Sequence, residues 1–270
     1  MESIVAAYGG SSSELSDAAS PASSQSEAEC TATDESTGDG GMRSGLKRKR
    51  FDEPQRKRAF SHVDGNWPSH VRINIPVDQD LRELAREAID RTQKAVGKAV
   101  ALVAFEELGL GKYPATSENP ELHLSLSRPF VLNYDQINVF VDSLRAALKW
   151  RERFSVTLCR TLVLVNDNKT RSFLALRVVK GEDEFVKVLR CVDACLARFK
   201  QPIYYMDPIP HVSIASSMGE ELAQLTSDQC ESLQILSPER QHMTTSRSFT
   251  TSVAAVHVAI GNKHYDIPLR

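Results

Sequence analysis

The chain has 270 residues, 41% of them apolar and 25% charged, with a formal net charge of -2. That length allows one or two domains, and the balanced charge excludes an overall basic signature, so contact with nucleic acid must rest on local features. No apolar run approaches the roughly 18 residues of a membrane span, and Met1 to Ala7 lacks the basic start and apolar core of a secretory signal.

Residues 1–60 read as a disordered tail. Up to about residue 45 they are rich in Ser, Ala, Gly, Asp and Glu, with too few large apolar side chains to offset the entropy of ordering. Lys47-Arg48-Lys49-Arg50 and Arg56-Lys57-Arg58 then form two basic clusters, spaced as in a two-part nuclear import signal; the same run also suits RNA phosphates. Residues 61–270 read as the folded part. Val71 to Ile75 alternates apolar and polar residues and stops at Pro76, as a strand does. Asp78 caps the next helix, with Leu81, Leu84, Ala85, Ala88 and Ile89 on its inner face. A Gly-containing loop from Leu108 to Pro114 leads to a short strand, Leu122 to Leu126. A second helix, Asp135 to Trp150, turns Ile137, Phe140, Val141, Leu144 and Leu148 inward. Strands Phe154–Val165 and Ser172–Val179 are joined by the polar turn 166–171.

The second half repeats this layout. A helix from Glu182 to Phe199 carries Phe185, Val186, Leu189, Val192 and Leu196 on one face. A Tyr-Tyr-Met-Asp-Pro loop precedes the strand His211–Ala215. A helix over Glu220–Leu236 and strands Phe249–Ile260 and His264–Leu269, joined through Gly261, complete the chain. The expected fold is α+β and two-lobed, with approximate internal twofold symmetry. Antiparallel sheets face a central cleft, and the helices lie outside. The five cysteines form no Cys-x-x-Cys pair and fit a reducing compartment. Cys191 and Cys195 read as small packed residues, because no further ligand completes a metal set.

One pattern occurs twice: His123-Leu124-Ser125 and His211-Val212-Ser213. On a strand, residues two apart share a face, so each copy presents an imidazole beside a hydroxyl. A single His-x-Ser in a chain this long is close to noise; two copies at matching places in two halves are not. Near neutral pH one imidazole can be neutral and another protonated. Two such groups flanking a phosphate suit RNA transesterification, one accepting the 2′-hydroxyl proton and the other protonating the departing 5′-oxygen. Ser125 and Ser213 can donate to the non-bridging oxygens. The first product would be a 2′,3′-cyclic phosphate, and the scheme needs no metal or other cofactor. His257 and His264 read as structural or exposed, and His62, His70 and His242 belong to no pattern.

The paired motifs resemble the two-histidine (2H) phosphoesterases. More narrowly, the folded part resembles the U6 small nuclear RNA phosphodiesterase family. The matching stretches are His62-Val-Asp-Gly-Asn-Trp-Pro-Ser-His70, Leu122 to Ser127, Lys169 to Phe173, Tyr205 to Pro208 with His211 to Ser213, and Ile260-Gly-Asn-Lys263. The resemblance implies a nuclear, monomeric 3′→5′ exoribonuclease that trims the 3′ oligouridine tail of U6 small nuclear RNA and leaves a 2′,3′-cyclic phosphate or, where that is opened, a 3′-phosphate end. It implies His123 and His211 as catalytic residues, Ser125 and Ser213 as phosphate-binding residues, and Tyr205 as the aromatic that stacks on the terminal base. Tyr204, its neighbour, can take either role. Ser216 and Pro210 depart from the family pattern, where bulkier aromatics are expected, and bear on nucleotide preference. The other readings are a cyclic-nucleotide or 2′–5′ oligonucleotide phosphodiesterase of the same superfamily, and an RNA-binding module without catalysis.

Overall fold

The computed structural model describes residues 63–98, 100–110, 119–225 and 247–270. The tail with its basic clusters, His62, His242, Cys30, Cys230 and most of the expected helix Glu220–Leu236 lie outside the described residues.

The first strand, β1 (Asn66–Pro76), alternates half-buried polar residues with buried Val71, Ile73 and Ile75. Helix α1 (Gln79–Val96) starts as expected: the Leu81 N–H donates to the Asp78 carboxylate at 2.9 Å. That bond satisfies one of the amides a helix start leaves unpaired. Short strand β2 (Val103–Ala104) and a 3₁₀ turn at Glu106–Leu108 follow. Next come β3 (Glu121–Ser125), β4 (Phe130–Asn133) and α2 (Gln136–Leu148), whose buried residues are the five expected from the sequence. The hairpin β5 (Phe154–Val165) and β6 (Arg171–Lys180) turns through Asn166, whose side-chain oxygen accepts from the Thr170 and Arg171 amides. Helix α3 (Glu182–Arg198) buries Phe185, Val188, Leu189, Val192, Cys195 and Leu196. Strand β7 (His211–Met218), a 3₁₀ turn at Glu221–Gln224, and strands β8 (Phe249–Val253), β9 (Ala255–Ile260) and β10 (Lys263–Pro268) complete the fold.

The strands form one antiparallel array in the order β10-β9-β1-β3-β7-β6-β5-β8, with β4 on β1 and β2 on β7. Its halves meet at a single pairing, Leu124 with Val212. Thus β3 and β7 are the inner edges of two half-sheets, side by side, and the two motif strands lie next to each other. The hairpins are also exchanged relative to chain order. The β5–β6 hairpin, from the first half of the chain, flanks β7; the C-terminal hairpin β9–β10 flanks β1. The expected strand Phe249–Ile260 accordingly breaks at Ala254, with β8 on β5 and β9 on β1. Helix α1 packs near β7 and β8, while α2 packs on α3, β4 and β10.

The turn after β9 shows why one matching stretch is needed. Gly261 has φ +57°, and a Cβ there would lie 2.6 Å from the Trp67 ring. Its N–H donates to the Pro68 carbonyl at 2.8 Å. Only glycine allows both the turn and the indole's close approach.

Candidate active site

Strand alternation aims the motif side chains. In β3, Leu122 and Leu124 are buried, His123 is exposed and Ser125 half-buried; in β7, Val212 and Ile214 are buried, His211 and Ser213 half-buried. The antiparallel Leu124–Val212 pairing puts His123 opposite Ser213 and Ser125 opposite His211. The four polar groups thus form a quadrilateral on one face, with the histidines on a diagonal of about 7–8 Å between backbones. An anion seated there would have an imidazole on either side and a hydroxyl beside each.

His211 has a defined tautomer. Its Nδ1 lies 2.7 Å from the Ile209 carbonyl, which can only accept, so Nδ1 carries hydrogen and Nε2 of the neutral ring is left as an acceptor. Burial pulls the His211 pKa below the ordinary imidazole value, and the Ile209 bond partly opposes this.

Sequence reasoning missed His70. Its ring meets that of His123 edge to face, with centroids 5.7 Å apart and planes at 84°. Burial, reinforced by the charges of His123 and Arg72, lowers its pKa to about 4, so it is neutral at physiological pH. The signal available was the alternation of His70, Arg72 and Asn74 along β1. All three share the motif face, since Asn74 is the partner of His123 and Arg72 of Ser125.

Tyr205 lies on the segment 201–210 that ends at His211. Its hydroxyl donates to Asp167 at 3.2 Å, and the Arg128 guanidinium lies 5.0 Å from its ring centroid while bonding Asp167 at 2.6 Å. Burial, followed by the Asp167 charge, raises the phenol's pKa. Tyr204 belongs to the core: it is 6% exposed, and its N–H donates to Asp193 at 2.8 Å. Ile209, between Tyr205 and His211, packs on Leu162, Leu164 and Ala175 of the β5–β6 hairpin. The structure brings His123, Ser125, His211 and Ser213 together and sets Tyr205 on the segment leading into them. Ser216 is buried in β7, opposite Phe173. His257, set aside in the sequence, is bonded through Nδ1 to Asp266 at 2.6 Å.

A family model described as HVSL, an uncharacterised conserved protein, matches residues 42–268. The chain belongs to the HVSL family. Similar curated proteins include "U6 snRNA phosphodiesterase 1" of Mus musculus, 28% identical over 215 residues and covering 80% of this chain and 73% of the relative. The Homo sapiens protein of the same name is 27% identical, covering 80% and 74%. Among solved structures, Kluyveromyces marxianus Usb1 with uridine monophosphate shares the fold of this HVSL chain, with TM-score 0.53 and 16% identity over 75% of this chain and 98% of that one.

Proposed function

We propose that this protein is a two-histidine 3′→5′ RNA phosphodiesterase that trims the oligouridine tail of U6 small nuclear RNA in the nucleus. The Leu124–Val212 pairing is the observation that supports this chemistry, because it brings two His-x-Ser pairs antiparallel onto one face. The substrate follows from the relatives, named for U6 snRNA and matched over most of their length, and from the uridine monophosphate named with the yeast structure. The snRNA substrate and the basic clusters before residue 60 support nuclear action.

In this reading the scissile phosphate sits between the diagonal histidines. One histidine, neutral, accepts the 2′-hydroxyl proton; in His211 the Nδ1–H bond to Ile209 leaves Nε2 as the reacting atom. The 2′-oxygen attacks phosphorus. The other, protonated, gives its proton to the departing 5′-oxygen of the terminal nucleoside. The shortened RNA ends in a 2′,3′-cyclic phosphate. Ser125 and Ser213 donate to the non-bridging oxygens as charge builds there. Tyr205 stacks on the terminal base, a contact of about 1–3 kcal/mol that tolerates different bases. Two imidazoles supply the proton transfers, so the scheme uses no metal.

His123→Ala and His211→Ala test it. Each should lower turnover by about 10²-fold or more, with affinity for an oligouridine RNA little changed. Trimming that persists while binding weakens would leave the histidines as phosphate holders only.

A further inference from the structure

The polar face continues beyond the histidines. Arg72 of β1 is the Cα partner of Ser125 on one side and of His257 of β9 on the other. His257 is in turn the partner of Asp266 of β10, and His211 of Arg177 of β6. With Ser125 opposite His211, a single row crosses six strands: Asp266, His257, Arg72, Ser125, His211, Arg177. Direct partners share a face. The residues flanking this row in β1 and β9, Val71, Ile73, Val256 and Val258, are buried on the other face.

The β1–β9 end of the row is equipped for an anion. The Arg72 Nε donates to the Asn74 side-chain oxygen at 3.0 Å, which fixes the guanidinium, and Arg72 forms no ion pair with any described residue. Its terminal nitrogens are suited to the paired contacts guanidinium makes with phosphate oxygens. Two carboxylates lie nearby, and each is engaged: Glu121 accepts from the Asn74 amide at 2.5 Å, and Asp266 accepts from His257 Nδ1 at 2.6 Å. The second bond orients the imidazole, whose Nε2 donates to a phosphate when the ring is protonated. Arg177, at the other end, lies 3.7 Å from Glu182.

Distance and direction identify the ligand. Strands are about 4.8 Å apart, so Arg72 starts about 7 Å from the β3–β7 seam. At that offset from the seam it can meet the next phosphate along a stretched strand. The Tyr205 segment packs on the β5–β6 side through Ile209, which puts the terminal base there and sends the rest of the RNA over β1 and β9.

We propose that Arg72, with His257 oriented by Asp266, forms a subsite for the RNA phosphate on the 5′ side of the nucleotide whose 2′-hydroxyl attacks. This rests on the RNA phosphodiesterase reading above. The subsite makes the enzyme sense whether another nucleotide lies upstream.

The test compares a uridine dinucleotide, UpU, with its 5′-phosphorylated form, pUpU, which adds only the upstream phosphate. For the unaltered protein, kcat/KM on pUpU should exceed that on UpU by about tenfold or more, the worth of one charge-assisted contact. Arg72→Gln should bring that ratio close to one, and His257→Gln should lower it partway. Arg177→Gln should leave the ratio as it is. Melting temperatures of the variants check that each folds. An unchanged ratio in Arg72→Gln, or an equal loss on both substrates, overturns the subsite; collapse of the ratio in Arg177→Gln overturns its direction. If the unaltered protein cleaves neither dinucleotide nor a longer oligouridine, the phosphodiesterase reading itself fails.

Discussion

His70 makes the protein's stability depend on pH in a way that can be isolated. In the folded chain its pKa is about 4, against 6.5 for an unperturbed imidazole, because burial disfavours its charge and His123 and Arg72 add repulsion. Between those values the unfolded chain binds a proton that the folded chain does not. This contribution to stability is therefore complete above about pH 6.5 and is lost as pH falls towards 4. At ~1.36 kcal/mol per pH unit, the loss is about 3 kcal/mol. His70→Gln keeps a side-chain N–H and removes the titration. Urea unfolding of both proteins from pH 7 to pH 4 should show the difference in unfolding free energy shifting by about 3 kcal/mol in the variant's favour. For a domain of this size that corresponds to roughly 6–12 °C in Tm. His211 titrates in both proteins and cancels. Parallel pH profiles would refute the claim that His70 is held neutral beside His123.

The histidine roles can be separated with a substrate carrying sulfur at the 5′-bridging position, whose thiolate leaves without a proton. Of His123→Ala and His211→Ala, the variant that regains most of its activity on it has lost the acid, and the one that does not has lost the base; recovery by both or by neither would contradict the two-histidine scheme. Tyr205→Ala should lower kcat/KM by about 10–100-fold through lost base stacking. Tyr204→Ala should instead lower Tm, because its ring is in the core. Gly261→Ala should destabilise the protein by about 1–3 kcal/mol, read as a lower Tm, since the new methyl meets Trp67 at a positive φ.

The elements and the histidine pairs were legible because their signals are local. Period-two alternation marked β1, β3 and β7, and the spacing in α2 picked out Ile137, Phe140, Val141, Leu144 and Leu148, which are its buried residues. The exchange of hairpins was not legible. Both hairpins carry the same turn and alternation signals, and which motif strand each flanks is decided by packing between distant segments. His70 stood in no pattern because its partner, His123, lies on another strand and only the β1–β3 register brings them together. The choice between Tyr204 and Tyr205 was equally hidden. The Asp193 bond to the Tyr204 amide accompanies that ring's burial, and Asp167 with Arg128 engages the other.

The central claim is that two histidines cleave RNA from its 3′ end by transesterification. The most direct measurement incubates the protein, with EDTA present, with an oligouridine-tailed RNA bearing free 2′- and 3′-hydroxyls, and identifies the ends by mass spectrometry. A matched substrate carries hydrogen in place of the penultimate 2′-hydroxyl. Shortening by single nucleotides to a 2′,3′-cyclic phosphate or 3′-phosphate end, abolished at the first step by the missing hydroxyl, is the predicted result. Continued trimming of the deoxy substrate, or complete inhibition by EDTA, would contradict the account and point to metal-assisted hydrolysis.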